Sequence, residues 1–170
     1  DVKFLGNRIL EAIPELRDRL IVVDPDDESR GSPVSVGGLR KALTLLTGGG
    51  MLTAFPAGEV SHWQTRLWRV EDRAWSPSIG GLARRSGAAV VPIYIEGSNS
   101  ALFQLAGMLH PRLRTALLPR ELLNKGRRQV RLRVGSPIPA DKLAQLATDA
   151  ERVDYLRWRT YLLQHRQEFK

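Results

Sequence analysis

The chain reads as an α/β domain in which a mostly parallel sheet is flanked by helices, and three observations predict it. Short apolar runs alternate with segments of helical period between Leu20 and Ile95, giving strand, helix, strand, helix, strand. That order at that spacing fits parallel βαβ units with right-handed crossovers. The run Ala88 to Ile95 is continuously apolar, as expected of a strand buried on both faces of a parallel sheet.

Each element has its own signal. Leu20 to Val23 is a short apolar run ending in the turn residues Asp24-Pro25-Asp26-Asp27. Gly37 to Thr47 places Leu39, Ala42, Leu43 and Leu46 on one helical face, and Gly48, Gly49 and Gly50 stop it. Met51 to Phe55 reads as the next strand. A loop rich in Trp, Arg and Ser follows, then a helix from about Ser78 to Ser86 that buries Ile79, Leu82 and Ala83 and ends at Gly87. From Gln129 to Val134, Val130, Leu132 and Val134 alternate with Arg131 and Arg133, which predicts an edge strand with the apolar side inward. One helix is expected after Pro139 and another from Thr148-Asp149, a capping pair, with Val153, Leu156, Trp158 and Leu162 reaching a core. There is no internal repeat.

Composition sets the outer bounds. A chain of 170 residues, 42% hydrophobic and 26% charged, supports a single domain with its own core. The absence of cysteine excludes a disulfide framework and thiol chemistry, and it fits a reducing compartment. No apolar run approaches the ~20 residues that span a bilayer. The start at Asp1, without Met or a leader, suggests a segment of a longer protein. A net charge of +8, mostly from arginine, favours an anionic partner such as a lipid headgroup, an acidic carrier or a nucleotide-bearing thioester. No recognition-helix motif, zinc module or aromatic RNA-binding signature is present, so nucleic acid is not expected. No histidine pair has metal-ligand spacing and no carboxylate cluster suggests a metal site, so no metal is expected either.

The residues that point to chemistry begin at Phe55-Pro56-Ala57-Gly58-Glu59-Val60-Ser61. A buried strand enters a Pro/Gly turn here, presenting Glu59 and Ser61 at a strand's carboxyl end, where ligands bind in open α/β sheets. The heptapeptide resembles the F-P-E-G-T-R-S block of the glycerolipid and lysophospholipid acyltransferases, the PlsC-like family. Phe55, Pro56, Gly58 and Ser61 match it, whereas Ala57, Glu59 and Val60 depart from it. Gly81 to Ile93, with Val91-Pro92 in its apolar part, resembles the family's later block. The F-P-A-G-E form, together with Asn99 to Phe103 and Leu113 to Glu121, is more similar to the hemolysin-like or ornithine-lipid acyltransferase subgroup.

The resemblance implies a glycerol-3-phosphate acyltransferase-like fold whose N-terminal part is missing from the sequence. It also implies transfer of a fatty acyl group from an acyl-CoA or acyl-carrier-protein thioester to a lysolipid hydroxyl, with no permanent cofactor. Phe55, Pro56, Gly58, Glu59, Ser61 and Pro92 are the implied substrate-binding residues. The family's base is a histidine oriented by an aspartate in an H-x-x-x-x-D motif, and general-base catalysis needs that pair within hydrogen-bond reach. The motif is absent: His62, His110 and His165 have Leu67, Thr115 and Lys170 at the fifth following position. No catalytic residue is therefore assigned in this chain, and the chain alone is expected to be inactive. His62 is expected to be a partly exposed loop residue beside Trp63.

Val60 stands where the family block carries an arginine, which removes a bidentate phosphate donor and argues for an acceptor other than a simple phosphate ester. Glu59 either shapes the acceptor site or holds local backbone amides. The densest basic stretch, Arg112, Arg114, Arg120, Arg127, Arg128, Arg131 and Arg133, either contacts anionic lipid or donor phosphates or is a solvated, charge-protected edge. Trp63, Trp68 and Trp75 either sit at a membrane interface or serve as core and flap residues. The expected setting is peripheral, at the cytoplasmic face of the cell membrane. The alternative is a non-catalytic basic module that binds anionic membrane or nucleic acid.

Overall fold

The structure is a computed structural model that describes residues 1–23, 33–65, 68–126 and 129–165. Its parallel part holds three strands: β1 (Val2–Gly6), β2 (Leu20–Val22) and β3 (Met51–Ala54), in the order β2-β1-β3. Phe4 is opposite Leu20 on one side of β1, and Val2 is opposite Met51 on the other, both pairings parallel. Between β1 and β2 the chain makes a 3₁₀ turn (Arg8–Ala12) and the single-turn helix α1 (Pro14–Arg17).

Helix α2 (Pro33–Thr47) links β2 to β3 and lies so close to β2 that a Cβ on Gly38 would meet the Val22 carbonyl oxygen at 2.3 Å. Leu5, Ile21, Ala42 and Leu82 form the buried centre of a first core, with Leu46, Leu52 and Ile79 packed around it. Leu82 belongs to α3 (Pro77–Ser86), the helix expected from Ser78. Ser76 caps it by accepting from the Ser78 N–H at 3.2 Å, Pro77 occupies its first turn, and Gly87 ends it with φ 64°.

The next residue along, Ala83, faces a second core with Ile138, Leu143 and Leu156, so α3 is the wall shared by the two. This second core is closed by α7 (Ala140–Ala144) and α8 (Asp149–Leu162), followed by a 3₁₀ turn (Leu163–His165). Thr148 Oγ1 accepts from the Glu151 N–H at 3.1 Å, and Glu151 reaches back to the Ala147 N–H at 3.0 Å, a variant of the capping box. A Cβ on Gly80 would lie 2.3 Å from the Asp149 carbonyl oxygen, so α3 and α8 meet backbone to backbone.

Two expectations are corrected. The Ala88 to Ile95 run is not a parallel strand buried on both faces. Its regular part, β6 (Ile93–Ile95), pairs antiparallel with β7 (Leu132–Val134), and Val90 forms an isolated antiparallel bridge to Ile138. Pro92 lacks a ladder donor and breaks the run, and Val91, Ile93 and Ile95 are exposed. The Gln129 to Val134 segment does pair at a strand edge, but with its apolar side outward: Val130, Leu132 and Val134 are exposed. The inward side is held by Arg133, whose guanidinium binds Glu96 and donates to the carbonyls of Leu163 and Gln164 at 3.2 Å each. Charge-assisted bonds to groups fixed at the chain's end outweigh the burial of three short apolar side chains.

The loop after β3 contains a small antiparallel hairpin, β4 (His62–Gln64) with β5 (Arg69–Glu71). Between β6 and β7 come three further helices, α4 (Ala101–Leu109), α5 (Pro111–Ala116) and α6 (Leu118–Lys125). Ser100 caps α4 by accepting from the Phe103 N–H at 3.3 Å, and its own N–H and hydroxyl donate to the buried Glu121 of α6. Among the described residues no helix is long and apolar enough to cross a membrane.

Candidate functional site

Strand β3 delivers Phe55 to Ser61 to the carboxyl end of the parallel sheet. The segment turns tightly: the Gly58 N–H donates to the Phe55 carbonyl at 3.0 Å, and Gly58 has φ 69°, which a side chain would strain. The Pro56 carbonyl accepts the Ser76 N–H at 2.9 Å, fastening the turn to the start of α3. Phe55 and Val60 remain exposed at the rim.

Glu59 anchors the loop from within. Its Oε2 accepts from Arg114 Nη2, an arginine only 8% exposed, which reaches in from α5. Its Oε1 is sealed from solvent, 3.2 Å from Arg73 Nε, yet without the alignment of a hydrogen bond. Ser61 donates its hydroxyl to Asp72 Oδ1, and Asp72 Oδ2 accepts from the Trp75 indole at 3.0 Å. The Asp72 N–H donates to the Tyr161 hydroxyl at 3.1 Å. Burial pushes the Tyr161 phenol above its ordinary value, so it stays neutral at physiological pH. Glu71 beside it is buried and takes Arg69 at 2.8 Å and Arg157 of α8 at 3.0 Å.

The loop therefore rests on a bed of charge pairs drawn from the hairpin, α5 and α8. Glu71, Asp72, Arg73, Arg157 and Tyr161 were not singled out in the sequence. The adjacent carboxylates Glu71-Asp72, set among arginines and tryptophans, were the one local signal available.

His62 lies at the start of β4. Its Nδ1 is 3.4 Å from the Val60 carbonyl and 4.0 Å from Glu59 Oε1, and its Nε2 faces the Gln64 amide nitrogen at 3.2 Å. Both ring nitrogens are thus engaged by protein. Trp75 is half-buried against the second core, Trp63 is half-buried, and Trp68 is exposed with its ring edge-on to Trp63 at 6.4 Å.

The other predicted residues are dispersed. Pro92 is buried in the wall of a cavity of about 340 Å³ with Gly135, Ser136, Arg159, Leu162, Leu163 and His165, none of them from the Phe55–Ser61 loop. Arg120 and Arg131 are exposed, whereas Arg114 and Arg133 hold Glu59 and Glu96. Arg127 and Arg128 lie outside the described residues, and Arg112 opens α5 at its second position. Of the predicted set, the fold joins Arg114 to the Phe55–Ser61 loop.

No curated protein and no solved structure matches the chain. A family model described as acyltransferase does match, over residues 5–168, a span that takes in both cores, the loop after β3 and its supporting carboxylates. On that match the chain belongs to the acyltransferase family.

Proposed function

We propose that the chain forms part of a PlsC-like O-acyltransferase of the hemolysin-like or ornithine-lipid subgroup, working in membrane lipid synthesis. It moves a fatty acyl group from an acyl-CoA or acyl-carrier-protein thioester to a lysolipid hydroxyl, peripherally at the cytoplasmic face of the membrane. The observation that carries the reading is the Phe55–Ser61 loop at the carboxyl end of β3, which holds one carboxylate oxygen, Glu59 Oε1, without an aligned donor. Arg73, with its side chain mostly exposed, covers that oxygen. When Arg73 swings outward, Oε1 is free to accept a hydroxyl or ammonium hydrogen from the acceptor.

In the transfer, the acceptor oxygen bonds to the acyl carbon and the C–S bond breaks. A base takes the hydroxyl proton and returns it to the departing sulfur, so the donor leaves as a free thiol. No histidine of this chain has an aspartate five positions on, and His62 has both nitrogens occupied. The base is accordingly assigned to an H-x-x-x-x-D motif outside this chain, and the chain contributes the acceptor loop. The donor is a transient substrate and no permanent cofactor is involved. Arg114 is committed to Glu59, and Val60 replaces the family arginine, which favours a zwitterionic or uncharged lysolipid such as a lyso-ornithine lipid over a phosphate monoester.

The test compares this chain with the longer protein carrying the motif, using acyl-CoA and acyl-carrier protein with a panel of lysolipids. Turnover by the longer protein alone is expected, because a positioned base contributes ~10²- to 10⁴-fold. Turnover by this chain would relocate the base. Inactivity of both would leave the second reading, a non-catalytic basic module for anionic membrane or nucleic acid, which the exposed Arg120 and Arg131 favour.

A further inference from the structure

Helix α4 is built the wrong way round for a core helix. Among its residues only Phe103 is fully buried, at 0% exposure, while Leu102, Leu105, Met108 and Leu109 are about half exposed or more, Leu109 at 80%. At 100° per residue these four side chains fall in one arc of about 120°, on the side of the helix away from Phe103. Leu113 of α5, the helix packed against α4, is about half exposed as well.

A second element is fastened alongside. The Trp63 N–H of the hairpin donates to Gln104 Oε1 of α4 at 2.8 Å. Trp68, at the tip of that hairpin, is 78% exposed with φ 53°, an unfavourable backbone for a residue whose ring gains no burial. An exposed tryptophan and an exposed leucine stripe on adjoining elements form the kind of apolar surface that marks an interaction site.

The charge around it selects the occupant. From Gly97 to Arg120 the chain has no acidic residue, and Arg120 is exposed. Arg69 and Arg73, at and beyond the hairpin tip, are exposed as well. A second copy would bring one positively charged chain against another, which such a rim disfavours. An anionic bilayer satisfies both features, because amphipathic rings and leucines enter the headgroup layer while arginines meet the phosphates.

We infer that α4 and Trp68 of the β4–β5 hairpin form the membrane-docking surface, with Leu102, Leu105, Met108, Leu109 and Trp68 inserted and the exposed Arg69, Arg73 and Arg120 on anionic phospholipid. The inference deepens the lysolipid-acyltransferase reading above and rests on it for the choice of a lipid surface. Since Trp63 and α5 touch or adjoin the Glu59 loop, docking there would bring the acceptor loop near the bilayer that supplies its substrate.

The experiment is co-sedimentation of this chain with vesicles of phosphatidylglycerol and phosphatidylcholine, comparing wild type with Leu105→Gln/Leu109→Gln and with Trp68→Ala. These side chains are exposed, so thermal midpoints should be unchanged. The double variant should lose at least about tenfold in vesicle partitioning, since two leucines no longer leave water. Wild-type tryptophan emission should shift to the blue on vesicles, with much of the shift absent in Trp68→Ala.

Wild-type binding matched by both variants would overturn this surface and leave the lipid reading standing. Absence of wild-type binding, or a concentration-dependent dimer abolished by the double variant, would overturn it too. In those cases, acyl transfer by the longer protein to a lysolipid below its micelle concentration decides the functional reading separately.

Discussion

The Glu59–Arg114 pair makes a sharp prediction because each group is sunk in the protein by the other's presence. Arg114 has a side chain 10% exposed and Glu59 one that is 25% exposed, so neither can fall back fully on water if its partner is lost. Breaking a fully buried pair strands a charge at about 3–5 kcal/mol. Arg73 sits at 3.2 Å on the other carboxylate oxygen and Glu59 retains some access to water, which brings the expectation down to about 2–3 kcal/mol for each single substitution.

Arg114→Met and Glu59→Ala should therefore each lower the unfolding midpoint by roughly 4–12 °C in a domain of this size. The double variant should cost less than the sum by about 2 kcal/mol, because the second removal no longer leaves a lone charge. Urea denaturation of the four proteins of the cycle, at low salt and again at ~0.5 M, measures this coupling. Salt should reduce it only slightly, since a buried pair is poorly screened. Additivity within ~0.5 kcal/mol would refute the account and return Glu59 to a solvated turn residue. Glu59→Gln then separates fold from function: the amide oxygen still receives Arg114, so a fall in kcat/KM for acyl transfer exceeding any loss of folded fraction reports contact with the acceptor.

Two further expectations follow from the α3–α8 contact. Gly80→Ala places a methyl 2.3 Å from the Asp149 carbonyl, and about 2–3 kcal/mol of overpacking against ~1 kcal/mol of helix propensity lowers the midpoint by roughly 2–8 °C; an unchanged or higher midpoint contradicts the close approach. Asp149 accepts Arg84 Nε at 3.1 Å and Arg152 Nη1 at 2.9 Å, and the hydrogen bond from Arg84 leads in holding its carboxyl below the ordinary value. A folded value below the unfolded one means that the stabilisation is present above roughly pH 4 and is lost as pH falls through the folded value. Asp149→Asn should therefore cost stability at pH 7 and lose less on acidification than wild type; parallel stability–pH curves would remove the assignment.

What could be read in advance followed the locality of the signal. The helix expected from Ser78 begins at Pro77 because Ser76, Pro77 and Gly87 fix its ends within the sequence itself, and the same is true of Thr148 at α8. The helix expected from Gly37 extends back to Pro33, a proline at home in a first turn. Leu20 to Val22 and Met51 to Ala54 are the strands expected there. Strand β1 was missed because Val2–Gly6 carries Lys3 within a five-residue run too short to show its period. The hairpin strands, three residues each, are too short for their alternation to stand out from a Trp/Arg-rich loop.

The segment holding α4, α5 and α6 shows no core-facing periodicity in the sequence, although Ser100, Pro111 and Pro119 punctuate it. Leu102, Leu105, Leu109, Leu113 and Leu123 are exposed, so their helical spacing does not report a core. Which side of β7 turns inward depended on Glu96 and on carbonyls some 30 residues away, and no local pattern encodes that. At the site, the Phe55–Ser61 loop was legible as a turn at a strand's end, but the partners beneath it were not. Arg114 lies 55 positions from Glu59 and Tyr161 lies 89 from Asp72.

The position of α3 as the shared wall of two cores also has a consequence for how the chain is made. Its first core uses residues that precede it or belong to it, from Leu5 to Leu82. Its other face waits for Leu143 and Leu156, and the Arg84–Asp149 contact spans 65 positions. At ~5–20 residues per second of synthesis, that span takes roughly 3–13 s. For that interval a nascent chain carries Ala83 and Trp75 without the α7 and α8 side chains that cover them in the fold. A ribosome stalled before Asp149 would therefore display that face of α3 without α8 to cover it.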